Sequence, residues 1–270
     1  MLKKNKNNVS MNQGVRLMMK ERQKEIQRYI ERKGEVTLSE LAEEFSSWSE
    51  MTIRRDLDYL EQNRVLLRTK HGARIMPSIY DVNCGVFGER EKRNPAEKME
   101  IARKAAEMIT SDMSIFVDAG STAMAFAHCI PDRDLIVITS APNVGLEIAM
   151  RTTKPTVIFL GGPLIRKTMN VAGLSVLDQL KNLNIDTAFM SASGYTDATG
   201  FSISGQQTSI LKRTVVNSAR RVVMMIDSSK FCSIYPYTFA RANEIDTVVS
   251  DSGIPQNIKN GFLQEGVKVL

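Results

Sequence analysis

Three features of the 270-residue sequence predict an α/β protein built in two parts. Apolar runs such as "SIFVDAG", "LIVITS", "PTVIFLGG" and "RVVMMID" alternate with helical patterns from residue 114 to 251. Repeated strand–helix units whose strands are apolar throughout predict a parallel, Rossmann-like sheet covered on both faces. Ahead of them, residues 22–63 carry three short helical patterns followed by an alternating stretch, "VLLRTKHGARIM". The charge is also lopsided: residues 1–76 hold 16 basic and 11 acidic side chains, residues 77–270 hold 20 and 19. The net charge of +6 therefore sits almost wholly in the first quarter. A small basic domain on a nearly neutral large one is the footprint of nucleic-acid binding.

Composition removes several other classes. A 43% hydrophobic and 24% charged chain is ordinary for a folded soluble protein. Its longest apolar runs are far too short to span a bilayer, which predicts no membrane partner. The leader "MLKKNKNNVSMNQG" has no apolar core and does not read as a secretory signal. Cys84, Cys129 and Cys232 are odd in number, far apart and without metal spacing, which predicts reduced thiols and a cytoplasmic protein. His71 and His128 are the only histidines, and neither has a metal partner in sequence. No metal and no cofactor is expected.

In chain order, residues 1–18 read as a disordered basic leader, with a natural beginning near Met18 or Met19. A helix is expected over 22–33, with Ile26, Tyr29 and Ile30 on one face and Gly34 as its stop. Thr37, with Glu40 three residues on, forms a capping-box pattern for a second helix to about Phe45. Ser49 is the candidate N-cap of a third, ending near Asn63. "VLLRTKHGARIM" then reads as a two-stranded ribbon turning at His71-Gly72. Helix, helix, turn, helix, ribbon is a winged helix-turn-helix over 19–76. Pro, Gly and Asn mark 77–92 as a linker, and 93–270 as the large domain. A single helix is expected from about Gly88 to Ile109. Strands follow at 114–120, 135–140, 155–162, 185–194, 221–227 and 245–251, with helices at 121–130, 141–150, 175–183 and 207–219.

Ligands of such sheets bind beyond the carboxyl ends of the strands. Those ends read Asp118-Ala-Gly-Ser-Thr122, Thr139-Ser-Ala-Pro-Asn143, Gly161-Gly162, Ser191-Ala-Ser-Gly194 and Asp227-Ser-Ser-Lys230. Free backbone N–H groups, small hydroxyls and helix dipoles together favour an anion. One Ser/Thr loop is also simply a good cap; several at neighbouring strand ends point to a phosphate pocket. Lys212 and Lys230 could supply its positive charge, or be solvated surface groups. Asp118 and Asp227 could pair for acid–base work, or cap a helix and orient a ligand hydroxyl. Neither G-x-G-x-x-G nor G-x-x-x-x-G-K-[ST] occurs here.

The third helix, "SEMTIRRDLDYLEQN", has Ile53, Leu57 and Leu60 on its buried side. Thr52, Arg55 and Tyr59 are then expected roughly opposite, with Met51 beside them and Arg54 on the flank. A recognition helix offers its N-terminal residues to base edges, and Arg55 can bond guanine bidentately. Arg54 suits a phosphate. Asp56 reads as an intrahelical charge partner. Ser49, Thr52, Arg68, Lys70, His71 and Arg74 complete the expected DNA-facing set, with the ribbon tracking the backbone.

The Ser-x-x-Thr-Ile-Arg-Arg-Asp-Leu run from Ser49, followed by Leu60 and a short basic wing, resembles the DeoR family of bacterial transcription regulators. "DAGST", "TSAPN", "GG", "AGLSVLDQL", "DTAFMSASG", "TGFSIS", "LKRTVVNSA" and "DSSKF" stand in the order of that family's sensor domain, and the resemblance covers residues 19–252. It implies a sensor related to ribose-5-phosphate isomerase and CoA-transferase folds. It also implies a double-stranded DNA operator, a phosphorylated sugar as effector, repression relieved by that effector, and a homo-oligomer. By position, Asp118, Gly120, Ser121 and Thr122 would form the first ligand loop. Thr139, Asn143, Gly161, Gly162 and Lys212 would complete the pocket. The chain departs from the family at Lys70-His71-Gly72-Ala73, Asn63, Ser140, Pro142, Gln206 and Gln207.

The runner-up is a sugar-phosphate isomerase or deaminase with a basic appendage; a scaffold binding an acidic partner comes third. The recognition helix and its wing weigh against an appendage. The pocket loops offer no clear catalytic His or conspicuous acidic pair.

Overall fold

The computed structural model describes residues 21–63, 65–75 and 87–270. The expected leader at 1–18, and residues 77–86 of the expected linker, lie outside them. The chain divides into two compact units, Met1–Pro77 and Ser78–Leu270.

The first unit contains α1 (Glu21–Lys33), β1 (Glu35–Thr37), α2 (Leu38–Glu44), α3 (Glu50–Gln62), β2 (Leu66–Arg68) and β3 (Gly72–Ile75). Ile26, Ile30, Leu41, Ile53, Leu57, Leu60 and Leu66 form its buried core. α1 stops at Gly34, which sits at φ 79° and donates its N–H to the Ile30 carbonyl at 2.8 Å. The capping box forms: Thr37 Oγ1 accepts from the Glu40 N–H at 3.2 Å, and the Thr37 N–H donates to Glu40 Oε2 at 2.7 Å. Ser49 caps α3 by accepting from the Thr52 N–H at 3.2 Å. Between α2 and α3, Phe45 stacks on Trp48 with ring centroids 4.7 Å apart.

Two expectations here are corrected. The wing is a three-stranded antiparallel sheet, β1-β3-β2, and not a two-stranded ribbon. At three residues, "EVT" is too short to register a period of two in sequence. Gly72 makes room for it, since a Cβ there would lie 1.9 Å from the Val36 carbonyl oxygen. The hairpin also turns one residue early. Thr69 and Gly72 exchange backbone hydrogen bonds at 3.1 and 3.4 Å, leaving Lys70 and His71 at the tip.

The second unit opens with α4 (Phe87–Glu91) and α5 (Pro95–Ala106). The single helix expected over 88–109 is thus two. Asn94 occupies the left-handed region at φ 49°, and Pro95 begins the new helix. Then come β4 (Met113–Val117), α6 (Ser121–Ala127), β5 (Leu135–Thr139), α7 (Pro142–Arg151) and β6 (Thr156–Phe159). A small hairpin of β7 (Leu164–Ile165) and β8 (Asn170–Val171) leads to α8 (Leu174–Leu180) and β9 (Ile185–Ser191). β10 (Gly194–Thr196), β11 (Gly200–Ile203), α9 (Gln206–Ser218), β12 (Ala219–Met225), β13 (Tyr237–Ala240), β14 (Thr247–Val249), α10 (Gln256–Gln264) and β15 (Lys268–Val269) complete the chain.

Seven strands form one parallel sheet in the order β15-β14-β12-β9-β4-β5-β6. Both faces are covered, which is why the strands read as continuous apolar runs. Ile115, Val117, Val137 and Val223 face a layer built with α5, α6 and α7. Phe116, Ile138, Ala188 and Met224 face α8, α9, α10 and a second sheet, β10-β11-β13. That antiparallel sheet was not expected. The strand expected over 185–194 breaks at Ser191, so that Gly194 can start it. A Cβ at Gly194 would come 2.3 Å from the Ser233 carbonyl oxygen. The chain leaves β4 toward β5 and β6, then returns to β9 on the other side of β4. The strand order therefore switches between β4 and β9, where open α/β sheets place their ligands.

Candidate functional site

A helix turns about 100° per residue, so Ile53, Leu57 and Leu60 form one stripe on α3 and Arg55 falls roughly opposite. Arg55 is exposed with no partner among the described residues. Met51 beside it is 73% exposed. Arg54 is exposed and hydrogen-bonded to Glu50 at 2.7 Å, one turn back. Ser49 Oγ lies 2.9 Å from Thr52 Oγ1, so both hydroxyls belong to the cap. In the hairpin, Lys70, His71 and Arg74 are exposed.

Three side chains depart from expectation. Asp56 is not an intrahelical partner: it lies about 60° from the stripe, is 3% exposed, and pairs with Arg22 of α1. Arg22 Nη2 reaches Asp56 Oδ1 at 3.0 Å, and Gln23 Nε2 reaches the same oxygen at 2.9 Å. The carboxylate raises the Arg22 pKa. Tyr59 is half-buried against the core, not opposite it. Arg68 leans back toward α3, with its Nε 3.9 Å from Asp58 and its backbone N–H donating to Glu61 at 2.9 Å.

In the second unit the switch between β4 and β9 holds a buried ion pair. Lys212, from α9, is 2% exposed and bonds Asp118, just beyond β4 and 1% exposed. The same Asp118 oxygen accepts from the Ser191 N–H at 2.8 Å and Ser191 Oγ at 2.9 Å. Lys212 Nζ also donates to the Ser191 carbonyl at 2.9 Å. Burial lowers the Lys212 pKa, Asp118 opposes that, and Arg90 adds to it. Lys212 is therefore no solvated surface lysine.

One strand further along, Asp227 stands just beyond β12. It caps the short 3-10 turn Ser228–Lys230, accepting from the Ser229 N–H at 3.2 Å, and accepts from Asn94 Nδ2 at 3.1 Å. Lys98, which sequence reasoning missed, is buried nearby on α5 and donates to the carbonyls of Arg93 and, at 2.5 Å, Arg90. Burial pushes its pKa down, as do Lys230 and Arg90; Asp227 and Glu97 push it up. The signal was available: Lys98 interrupts the buried face of α5, between Asn94 and Ile101. Arg90, Lys98, Lys212 and Lys230 thus gather from both layers around two strand-end carboxylates. α4 and α5 also pack on α6, whose first turn follows Asp118. Gly120, at φ 112°, turns the chain into it; a Cβ there would meet nothing nearer than Ser191 Oγ at 3.7 Å, so the backbone angle is what asks for glycine.

In that first turn Ser121 is half-exposed and Thr122 buried. The remaining pocket residues sit on the other side, at the ends of β5 and β6. Thr139 is buried, with Oγ1 accepting from the Ala141 N–H at 3.1 Å. Asn143 lies in the first turn of α7, its amide atoms buried without a partner among the described residues. Gly161 is not a free N–H donor: Gln179 Oε1 takes it at 3.0 Å, and Gln179 Nε2 binds its carbonyl at 2.9 Å. Gly162 is exposed, and a Cβ there would come 2.8 Å from Ser175 Oγ.

Residues 22–78 match the DeoR-like helix-turn-helix domain, and residues 93–252 match the DeoR C terminal sensor domain. The chain belongs to the DeoR family. It is 31% identical to the HTH-type transcriptional regulator YulB of Bacillus subtilis, over 90% of this chain and 93% of that one. It is 29% identical to the HTH-type transcriptional repressor GlcR of the same organism, over 81% and 83%. It is 30% identical to the glycerol-3-phosphate regulon repressor of Escherichia coli, over 85% and 89%. Among solved structures, ribose 5-phosphate isomerase A of Methanocaldococcus jannaschii is similar at 18% identity and a TM-score of 0.38, over 51% of this chain and 55% of that one. As a DeoR-family member, the protein is a DNA-binding transcription regulator with a sensor domain. Among the described residues no helix is long and apolar enough to cross a membrane.

Proposed function

We propose that the protein is a cytoplasmic, homo-oligomeric repressor of a carbohydrate catabolic operon, released from its operator by a phosphorylated sugar. The observation that carries the effector class is the gathering of Arg90, Lys98, Lys212 and Lys230 at one edge of the sheet, around Asp118 and Asp227. Lys212 is matched by Asp118, so the surplus positive charge lies toward β12. The phosphate sits there, against Lys98, Lys230 and the first turn of α6 at Gly120, Ser121 and Thr122. The Asp118–Lys212 pair reads the sugar's hydroxyls, with Thr139, Asn143 and Gly162 flanking it. The names of two relatives, one a repressor and one the repressor of a glycerol-3-phosphate regulon, support this reading.

Residues 19–76 serve as the DNA-binding domain, 77–92 as linker and 93–270 as sensor. Arg55 reads a base, Met51 can meet a thymine methyl, and Arg54 exchanges Glu50 for a phosphate. Ser49 and Thr52 add hydroxyl contacts at the start of α3, while Lys70, His71 and Arg74 hold the backbone.

The test is thermal unfolding of the full chain with a panel of sugar phosphates and glycerol 3-phosphate. A ligand that binds the folded state raises the melting temperature, and none of the panel should be turned over. No shift with any of them, or measurable isomerisation, contradicts the proposal.

A further inference from the structure

The sheet edge has a second, uncharged end. Ser140, the residue after β5, is 1% exposed and its Oγ has no hydrogen-bond partner among the described residues. Both amide atoms of Asn143, three residues on, are buried and likewise without a partner among the described residues. Buried polar groups in folded proteins are almost always hydrogen-bonded, so unpaired ones mark where a water or a ligand belongs. Three such atoms within four residues is a local concentration.

The register says what they stand beside. Val117 of β4 pairs with Thr139 of β5, so the next residues, Asp118 and Ser140, stand level. Adjacent strands are about 4.8 Å apart, which puts Ser140 next to the Asp118–Lys212 pair. It also lies on the far side of that pair from β12. The other side of the loop is held by neutral groups. The Ser140 carbonyl accepts from the Val171 N–H at 2.7 Å, and the neighbouring Asn170 donates to Thr208 at 3.3 Å. Donors and acceptors without a charged side chain suit hydroxyl groups better than they suit a second phosphate, whose charge they leave unmatched.

We propose that Ser140 and Asn143 read the hydroxyl-bearing, uncharged end of the effector and set which sugar monophosphate the protein answers to. This rests on the function proposed above. The ligand then spans the edge, with its phosphate toward Lys98 and Lys230, its middle over Asp118 and Lys212, and its far carbinols at Ser140 and Asn143. A bisphosphate places its second charge against that neutral end and is rejected.

The test compares the unaltered chain with Ser140→Ala and Asn143→Asp. The probes are inorganic phosphate, the 6-phosphates of glucose, mannose, galactose and fructose, and fructose 1,6-bisphosphate, read by melting shift and calorimetric titration. The unaltered chain should prefer one monophosphate over its epimers and over the bisphosphate by about tenfold or more. Ser140→Ala should cut the preferred ligand's affinity about five- to tenfold, the size of one lost hydrogen bond, and flatten the epimer preference. Asn143→Asp should weaken every sugar phosphate, and neither variant should change the response to inorganic phosphate. If both variants bind the panel as the unaltered chain does, the unpaired atoms hold only water and the inference is overturned. If the unaltered chain binds no sugar phosphate, the proposed function falls and this inference with it.

Discussion

Arg55 and Asp56 are neighbours in sequence and opposites in the fold. One faces outward with no partner among the described residues; the other is buried against Arg22 and ties α1 to α3. Replacing Arg55 by Ala should therefore leave stability nearly unchanged and cost about 1–3 kcal/mol of operator affinity, with base preference relaxed at one position. An operator titration against a set of singly substituted sites checks it. The Asp118–Lys212 pair obeys a different logic. Lys212→Met leaves a carboxylate buried without its cation and should destabilise the sensor by about 3–5 kcal/mol. Asp118→Asn with Lys212→Met should recover most of that loss in denaturant unfolding, because no charge is then stranded, yet should no longer respond to sugar phosphate. A double variant as unstable as the single one would mean that the pair is needed for the fold rather than for the ligand.

At the scale of elements, the capping box at the start of α2 gives a pH-dependent prediction. Hydrogen bonds from the Thr37 backbone and hydroxyl hold the Glu40 carboxyl below its usual value. A depressed carboxylate contributes stability above its unfolded pKa and loses it as pH falls through the lower, folded value. Glu40→Gln should accordingly be less stable than the parent at neutral pH, and the gap should close below about pH 4, followed by melting temperature against pH. Elements of this kind were legible because their signals are local: a capping pair, a glycine stop, an apolar stripe, a run of buried strand. What stayed hidden depended on distant partners. "EVT" is a strand only because Gly72 lets β3 approach it. β10, β11 and β13 assemble from segments up to some forty residues apart. The break at Asn94 needed a left-handed residue that sequence does not display, although Pro95 hinted at it. The site divided the same way. The strand-end loops could be read off the chain, but the burial of Lys98 and Lys212, on which the proposed anion site rests, follows from packing on both faces of the sheet.

The whole molecule joins a basic helix-turn-helix unit to a sensor built on a parallel sheet. Its DNA affinity should fall steeply with salt, since each phosphate contact contributes about 0.9 to the slope of log affinity against log salt concentration. Lys70→Ala should lower that slope by about 1 and weaken all sequences alike, whereas Arg55→Ala should discriminate among them. Salt titrations on specific and random DNA separate the two. In the proposed function the sensor and DNA-binding units are coupled through the effector. Coupling is reciprocal: an effector that weakens operator binding by some factor must itself be bound more weakly, by that factor, when operator is present. The most direct measurement is the operator dissociation constant of the full chain, on promoter DNA nearest its own gene, with and without a saturating sugar phosphate that raises its melting temperature. The dissociation constant should rise at least about tenfold, with the same factor recovered when the ligand is titrated onto the DNA complex. A ligand that stabilises the sensor yet leaves the operator dissociation constant unchanged would contradict it.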